Sequence, residues 1–209
     1  MMLRASLIAL TLACAAPAHA AGEMPPLRAM EMSRTLFAAG VEARDPLLMA
    51  TAAQLRKGVS IEAVERAGSD GEALAGEAPL SWEAMLDAAR EAAGEDEAML
   101  SVIEDIRTAG TKGVSTGPVY SISRLAARKT DTYPPLPYDG GEYAEVYVEG
   151  GGDSDLNLYV YDAKGRLVCS DTDKSDVAYC GWRPATSEAF TVKVENKGAG
   201  TNRYSLMTN

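Results

Sequence analysis

Histidine is all but missing from this 209-residue chain: the single one, His19, stands in an N-terminal stretch patterned like a removable leader. Without imidazole the remainder cannot assemble a Ser-His-Asp or Cys-His nucleophile, nor a zinc site built on histidine. Carboxylate-only, Ser-Lys and metal-assisted chemistry stay open, but no constellation in the sequence singles one out. Cysteine is scarce too, at three residues, as are phenylalanine and tryptophan at two each. Basic charge is in deficit, with 20 Lys and Arg against 30 Asp and Glu and a net charge of −10. Such a surface repels nucleic acid and anionic lipid, and favours cationic partners or divalent ions. No apolar run reaches the roughly 18 residues that a membrane span needs.

What is present begins with "MMLRASLIALTLACAAPAHAA", in which Arg4 precedes an apolar run from Leu7 to Ala16 and Ala18-His19-Ala20 forms a small-x-small site. This is the pattern of a secretory signal peptide cleaved near Ala20, and it predicts a periplasmic or secreted protein. The alternative is a lipoprotein anchored through Cys14, although Thr11 and Leu12 fit a lipobox poorly. Cleavage removes His19 and Cys14 and leaves 19 basic and 30 acidic residues, a net charge of −11. Two cysteines remain, Cys169 and Cys180, and an even count in an oxidising compartment predicts a disulfide. On the chain-entropy model a loop this short would gain about 3 kcal/mol from the bridge. Two free thiols or a metal pair form the alternative, with a spacing far from C-x-x-C.

Two periods divide the chain. Up to about Gly110 apolar residues recur at helical spacing, starting with Leu27, Met30, Phe37 and Val41 in a helix from Pro26 to Glu42. Asp45 as N-cap, Pro46 at the first helical position and Gly58 as the stop frame a second helix. The spacing predicts a short helix from Ile61 to Ala67, another capped by Ser81 and ended by Gly94, and a last one from Glu95 to Thr108. Segments 36–56 and 86–107 align with one gap, Asp45 on Asp96 and Arg56 on Arg107, in the manner of two helical hairpins.

After the glycine-rich "TAGTKGVSTGP" the period becomes two. Eight strands are predicted: 119–125, 132–136, 142–149, 156–162, 166–170, 177–182, 189–195 and 202–207, with Pro134, Pro135 and Pro137 making the second an edge strand. The expected fold class is α+β: an acidic helical bundle domain at 21–115, then an antiparallel jelly-roll-like β-sandwich domain at 116–209. Net charge is −8 in the helical part and −3 in the sandwich, which reads as solvation of a helix surface rather than a docking face.

The densest charge lies in "GGDSDLNLYVYDAKGRLVCSDTDKSD", residues 151–176. Asp162-Ala163-Lys164-Gly165 has the pattern of a type I turn closing through a left-handed glycine. Continuing the pairing from that turn sets Val160 opposite Val168, Asn157 opposite Asp171 and Asp155 opposite Asp173. Like charges directly opposite each other destabilise a strand pair, and a calcium ion would relieve them. Asp153, Asp155, Asn157, Asp171, Asp173 and Asp176 are the candidate metal ligands, although an EF-hand is excluded because Leu158 stands where its glycine belongs. The other reading is a solvated hairpin end rich in turn-forming aspartates, with Lys174 as a partial counter-ion. Tyr159 and Tyr161 alternate onto the same face and are a candidate platform for a sugar or peptide.

"GDSDLNLYVYDAKGRLVCSDT", followed by "FTVKVENKGAGTNRYSLMTN", resembles the bacterial pre-peptidase C-terminal domain, a secreted sandwich similar to collagen-binding domains, over about residues 119–209. The resemblance implies an accessory module of exported enzymes used in secretion or polymer binding, with calcium in some relatives. It carries calcium to Asp153, Asp155, Asn157, Asp171 and Asp173; Asp176 is added on spacing alone. The peptidase such modules usually follow is replaced here by the helical segment, and "PATSEAFTVKV" lacks the expected glycine turn. The expectation is an exported, non-catalytic binding or accessory module that meets a periplasmic or extracellular protein or polysaccharide. The alternatives are a carboxylate-dependent hydrolase using helix acids such as Glu83, Asp87, Glu91 or Glu104, and a partner-docking or assembly protein acting through the helices.

Overall fold

Local hydrogen bonds start the helices where short polar side chains can fold back on free N–H groups. In a computed structural model, which describes residues 24–110, 117–152 and 154–209, these helices are α1 Pro26–Ala43, α2 Pro46–Lys57, α3 Trp82–Ala93 and α4 Glu97–Thr108. The leader, residues 111–116 of the glycine-rich run, and Asp153 lie outside the described residues. Asp45 Oδ1 accepts from the N–H of Leu47 and Leu48 at 2.9 and 3.1 Å, and Ser81 Oγ from that of Ala84 at 3.2 Å. Asp96 caps α4 through the Met99 N–H at 3.1 Å, so the two aspartates that align in sequence have the same role. The helices meet around Met49, Ala50, Ala53, Met85, Leu86, Ala89 and Ile103. At Gly40 a Cβ would come within 2.9 Å of Met49, which is why α1 and α2 can approach there.

Two short strands, β1 Glu62–Ala63 and β2 Glu72–Ala73, lie between α2 and α3. Nine more follow: β3 Val119–Leu125, β4 Thr130–Thr132, β5 Leu136–Tyr138, β6 Ala144–Gly150, β7 Leu156–Tyr161, β8 Leu167–Asp171, β9 Val177–Trp182, β10 Glu188–Asn196 and β11 Asn202–Thr208. The second expected strand is split into β4 and β5, because Pro134 and Pro135 have no N–H for the ladder. One sheet runs β1-β3-β11-β6-β9, with β2 also on β3; the other runs β4-β10-β7-β8, with β5 on β10. All pairs are antiparallel except β1 with β3. Between the sheets lie Val146, Val148, Leu158, Val160, Val192, Val194 and Leu206, and Tyr138, Trp182 and Phe190 cluster edge to face at one end. This is the expected α+β class, with helices N-terminal and a β-sandwich C-terminal.

The helices pack on the outer face of the first sheet, where Leu27 and Met30 of α1 meet Tyr147 and Met207. Arg56 of α2 reaches through this contact to Glu149 of β6, with Nη2–Oε2 at 2.6 Å and Nη1–Oε1 at 3.0 Å; each side chain is 3% exposed. The remaining donors of Arg56 reach Leu80 O, Met30 O and Ser33 Oγ, and Glu149 also accepts the Tyr147 hydroxyl at 2.9 Å. Among the described residues no side chain of its own segment caps α1. Glu145 of β6 does so instead, accepting from the Arg28 and Leu27 N–H groups at 3.0 and 3.4 Å. Burial raises the Glu145 pKa above the ordinary carboxylate value, against the lowering effect of the Tyr179 hydroxyl and those N–H donors.

Residues 61–67 do not form the expected helix. Ile61 and Val64 have helical spacing, but β3 presents an unpaired edge, and the segment extends to meet it: Glu62 N donates to Pro118 O and Val64 N to Tyr120 O. The chain then crosses to the second sheet, where Ser69 N donates to Thr132 O at 3.0 Å, and returns through β2. This strap closes the flank between β3 and β4. Beneath it the buried Asp131 accepts from Asp70 N at 3.1 Å and from the Tyr204 hydroxyl at 2.7 Å, and that hydroxyl bonds the Tyr133 hydroxyl at 2.7 Å. Burial pushes Tyr133 up to about 12, so the chain of hydroxyls is uncharged. On the opposite flank the expected disulfide joins Cys169 of β8 to Cys180 of β9.

Candidate functional site

The turn between β7 and β8 forms as its residues require. Asp162 Oδ1 accepts from Lys164 N and Arg166 N, both at 2.9 Å, and Gly165 takes φ +75°. Those N–H groups, Arg166's first, hold the Asp162 carboxyl below its usual range.

Beyond the turn the register departs from expectation. A bulge between Val160 and Tyr161 pairs Val160 with Cys169 and Leu158 with Asp171, rather than Val160 with Val168 and Asn157 with Asp171. The reason is the disulfide: Cys180 is fully buried, so Cys169 must face inward, and the period of two turns Asp171 inward with it. There Asp171 Oδ2 accepts from Tyr179 N at 2.9 Å. Asn157 instead stands opposite Glu195 of β10. Asp155 and Asp173 are not a ladder pair either, since Leu156 N donates to Ser175 O and Asp173 Oδ1 accepts from Ser175 N at 2.8 Å.

The candidate ligands are therefore dispersed. Asp171 and Asp173 lie near Glu31 of α1, whose pKa is raised by burial first and by these two charges in addition. Asp176 forms an ion pair with Arg34 at 3.0 Å. Asp155 and Asp176 do share a hollow of about 500 Å3 with Ser154, Lys174 and Ser175. Among the described residues no group of three or more acidic, cysteine or histidine side chains is arranged to hold a metal ion. Two oxygens nevertheless lack partners at the start of β7: Asp155 Oδ1 and Asn157 Oδ1 are both buried and unbonded.

Tyr159 and Tyr161 do come together on the outer face of the second sheet, opposite Lys193 and Thr191 of β10. The Tyr159 hydroxyl donates to Glu195 Oε2 at 3.1 Å and accepts from Asn157 Nδ2 at 3.2 Å. The Lys193 ammonium lies 5.1 Å from the centroid of the Tyr161 ring. Beside Tyr161 is a hollow of about 540 Å3, lined also by Pro135, Asp162, Thr191 and Lys193. Thr191, Lys193 and Glu195 belong to this face as well. Their alternation in "FTVKVEN" signals one outward face, but nothing there says that β10 lies beside β7. Of the helix acids, Asp87 is taken up by Arg107 at 2.7 Å.

No family model matches the sequence, and no curated protein matches it. Among solved structures the chain is similar to the pre-peptidase C-terminal domain of a collagenase from Bacillus anthracis, at 10% identity and a TM-score of 0.36 over 42% of this chain and 87% of that one. It is also similar to PliG, a periplasmic inhibitor of g-type lysozyme from Aeromonas hydrophila, at 15% identity and 0.35 over 46% and 90%. A third is a mitogen derived from Yersinia pseudotuberculosis, at 12% identity and 0.33 over 44% and 85%. Overlaps of this size carry no argument about activity, so function has to be read from the chain's own surface. Among the described residues no helix is long and apolar enough to cross a membrane.

Proposed function

We propose that the protein is an exported binding module whose second sheet holds a polymer, peptide or glycan, against Tyr159 and Tyr161. The observation that carries this reading is the ordered strip of Asn157, Tyr159, Glu195, Lys193 and Tyr161. Partly exposed rings offer apolar faces to sugar C–H groups or side chains, while the linked polar groups fix their orientation. The helices lie on the other sheet and leave this face open. The leader pattern and the disulfide support export. Affinity electrophoresis of the mature protein in gels containing gelatin or soluble xylan tests the proposal. Retardation by one polymer that is lost in Tyr161→Ala and Lys193→Ala supports it, and free migration in both gels counts against it.

A divalent cation at the start of β7 is a second reading, favoured by the orphaned Asp155 Oδ1 and Asn157 Oδ1. These two residues are the oxygen donors that would hold calcium; Asp171 and Asp173 bond backbone N–H groups, Asp176 is paired with Arg34, and Asp153 lies outside the described residues. Calorimetric titration with calcium checks it. Saturable heat absent from Asp155→Asn is the expected result, and equal traces for the two proteins would remove the reading.

A further inference from the structure

Among the described residues every arginine except one either forms an ion pair with a carboxylate or is exposed. The exception is Arg66, on the strap. It is partly withdrawn from water, and among the described residues no carboxylate lies within ion-pair distance and its side chain makes a single 3.3 Å bond, to Thr208 Oγ1. A guanidinium carries five N–H donors in a fixed fork, and those of Arg66 that make no bond within the protein remain in reach of a molecule entering from solvent. Burial lowers the Arg66 pKa, and its two tyrosine neighbours, Tyr133 and Tyr138, have theirs raised by burial and bring no charge.

Arg66 lines a hollow of about 520 Å3 between the two arms of the strap and β3. The walls are small and apolar: Ala63, Val64, Ala73, Leu74 and Ile122. Ser121 lines it as well, and its hydroxyl, on a residue 3% exposed, has no partner. Glu65 and Glu77 stand on the same hollow, Glu77 paired with Arg203, and the chain as a whole is acidic, so a dianion such as phosphate meets about twice the repulsion that a monoanion does. A single carboxylate matches the fork of Arg66 in shape and charge, and the alanine-lined walls suit a small uncharged body.

We infer that the hollow between the strap and β3 binds a small monocarboxylate, held by Arg66. N-acetyl-L-alanine and its amide are the probes, since they differ only in the charged group. The Nε–Hε resonance of Arg66 is followed by NMR in the full mature protein as each is added. The expected result is a saturable shift with the acid and none with the amide, and binding at least about ten-fold weaker in Arg66→Lys, which keeps the charge but loses the fork. Equal responses to the two probes, or no response to either at millimolar concentration, would overturn the inference and leave Arg66 as a water-bonded plug in the seam. Because the resonance is read in the unaltered chain, the outcome stands even if Arg66→Lys does not fold.

Discussion

Arg56→Met should detach the helices from the sandwich. The substitution removes all five bonds from Arg56, including both to Glu149, and leaves that carboxylate with the Tyr147 hydroxyl alone. Met30 O and Leu80 O lose a donor in the same step. Breaking one side of a buried pair costs about 3–5 kcal/mol, a large share of the roughly 5–15 kcal/mol that holds a domain folded. For a chain of this size the melting temperature should fall by roughly 10 °C. The two tryptophans make the assay specific: Trp82 starts α3 and Trp182 ends β9, so Trp82→Phe and Trp182→Phe backgrounds report on the sandwich and the helices separately. Urea unfolding followed by fluorescence should give one coincident transition with Arg56 in place, and an earlier, separate transition for the helices in Arg56→Met. Arg56→Met/Glu149→Leu should recover most of the loss, because no buried charge is then left without a partner. A single variant within about 1 kcal/mol of the parent, or a double variant no better than the single, would refute the assignment of the ion pair as the joint between helices and sheet.

Glu145 predicts a pH dependence. Its folded pKa is raised, so the folded protein keeps that proton to higher pH than the unfolded chain. Stability should therefore fall as pH rises through the interval just above 4.5, and Glu145→Gln should flatten that part of a melting-temperature profile. Replacing Cys169 and Cys180 together by alanine should cost about 3 kcal/mol in denaturant unfolding, with the largest gain in amide exchange on the edge strands β8 and β9; exchange spread evenly over the molecule would contradict this. Gly68→Ala should lift the strap, because a Cβ would fall 1.9 Å from Asp131 Oδ1. A loss of about 1–3 kcal/mol and faster proteolysis within residues 61–77 are expected, and parental protease resistance would argue against the strap as the seal of that flank.

Where a feature depends on neighbours in the chain, the sequence announced it. Asp45, Pro46 and Ser81 mark their helix starts, and the strands at 119–125 and 177–182 appear with the residues expected of them. Features that depend on distant partners were hidden. Nothing local distinguishes Ile61 and Val64 on a helix face from the same residues stretched along β3. The bulge opposite Val160 follows from Cys180, eleven residues after Cys169, and a single-residue slip moved Asp171 off the face of Asn157 to a half-buried place beside Tyr179. Tyr159 and Tyr161 were legible by alternation, whereas Lys193 and Glu195 joined them only once β10 was placed beside β7. Nothing near Arg56 in the sequence points to its role, because its partner lies 93 positions away.

The position of β11 constrains how the molecule can be made. This strand lies in the interior of the first sheet, between β3 and β6, and it supplies Met207 to the surface on which α1 rests. Until residues 202–208 are available, β3 and β6 have no common partner and α1 has no complete floor. Closure of the first sheet therefore waits on these residues, and a chain lacking 202–208 should stay open and sensitive to proteases.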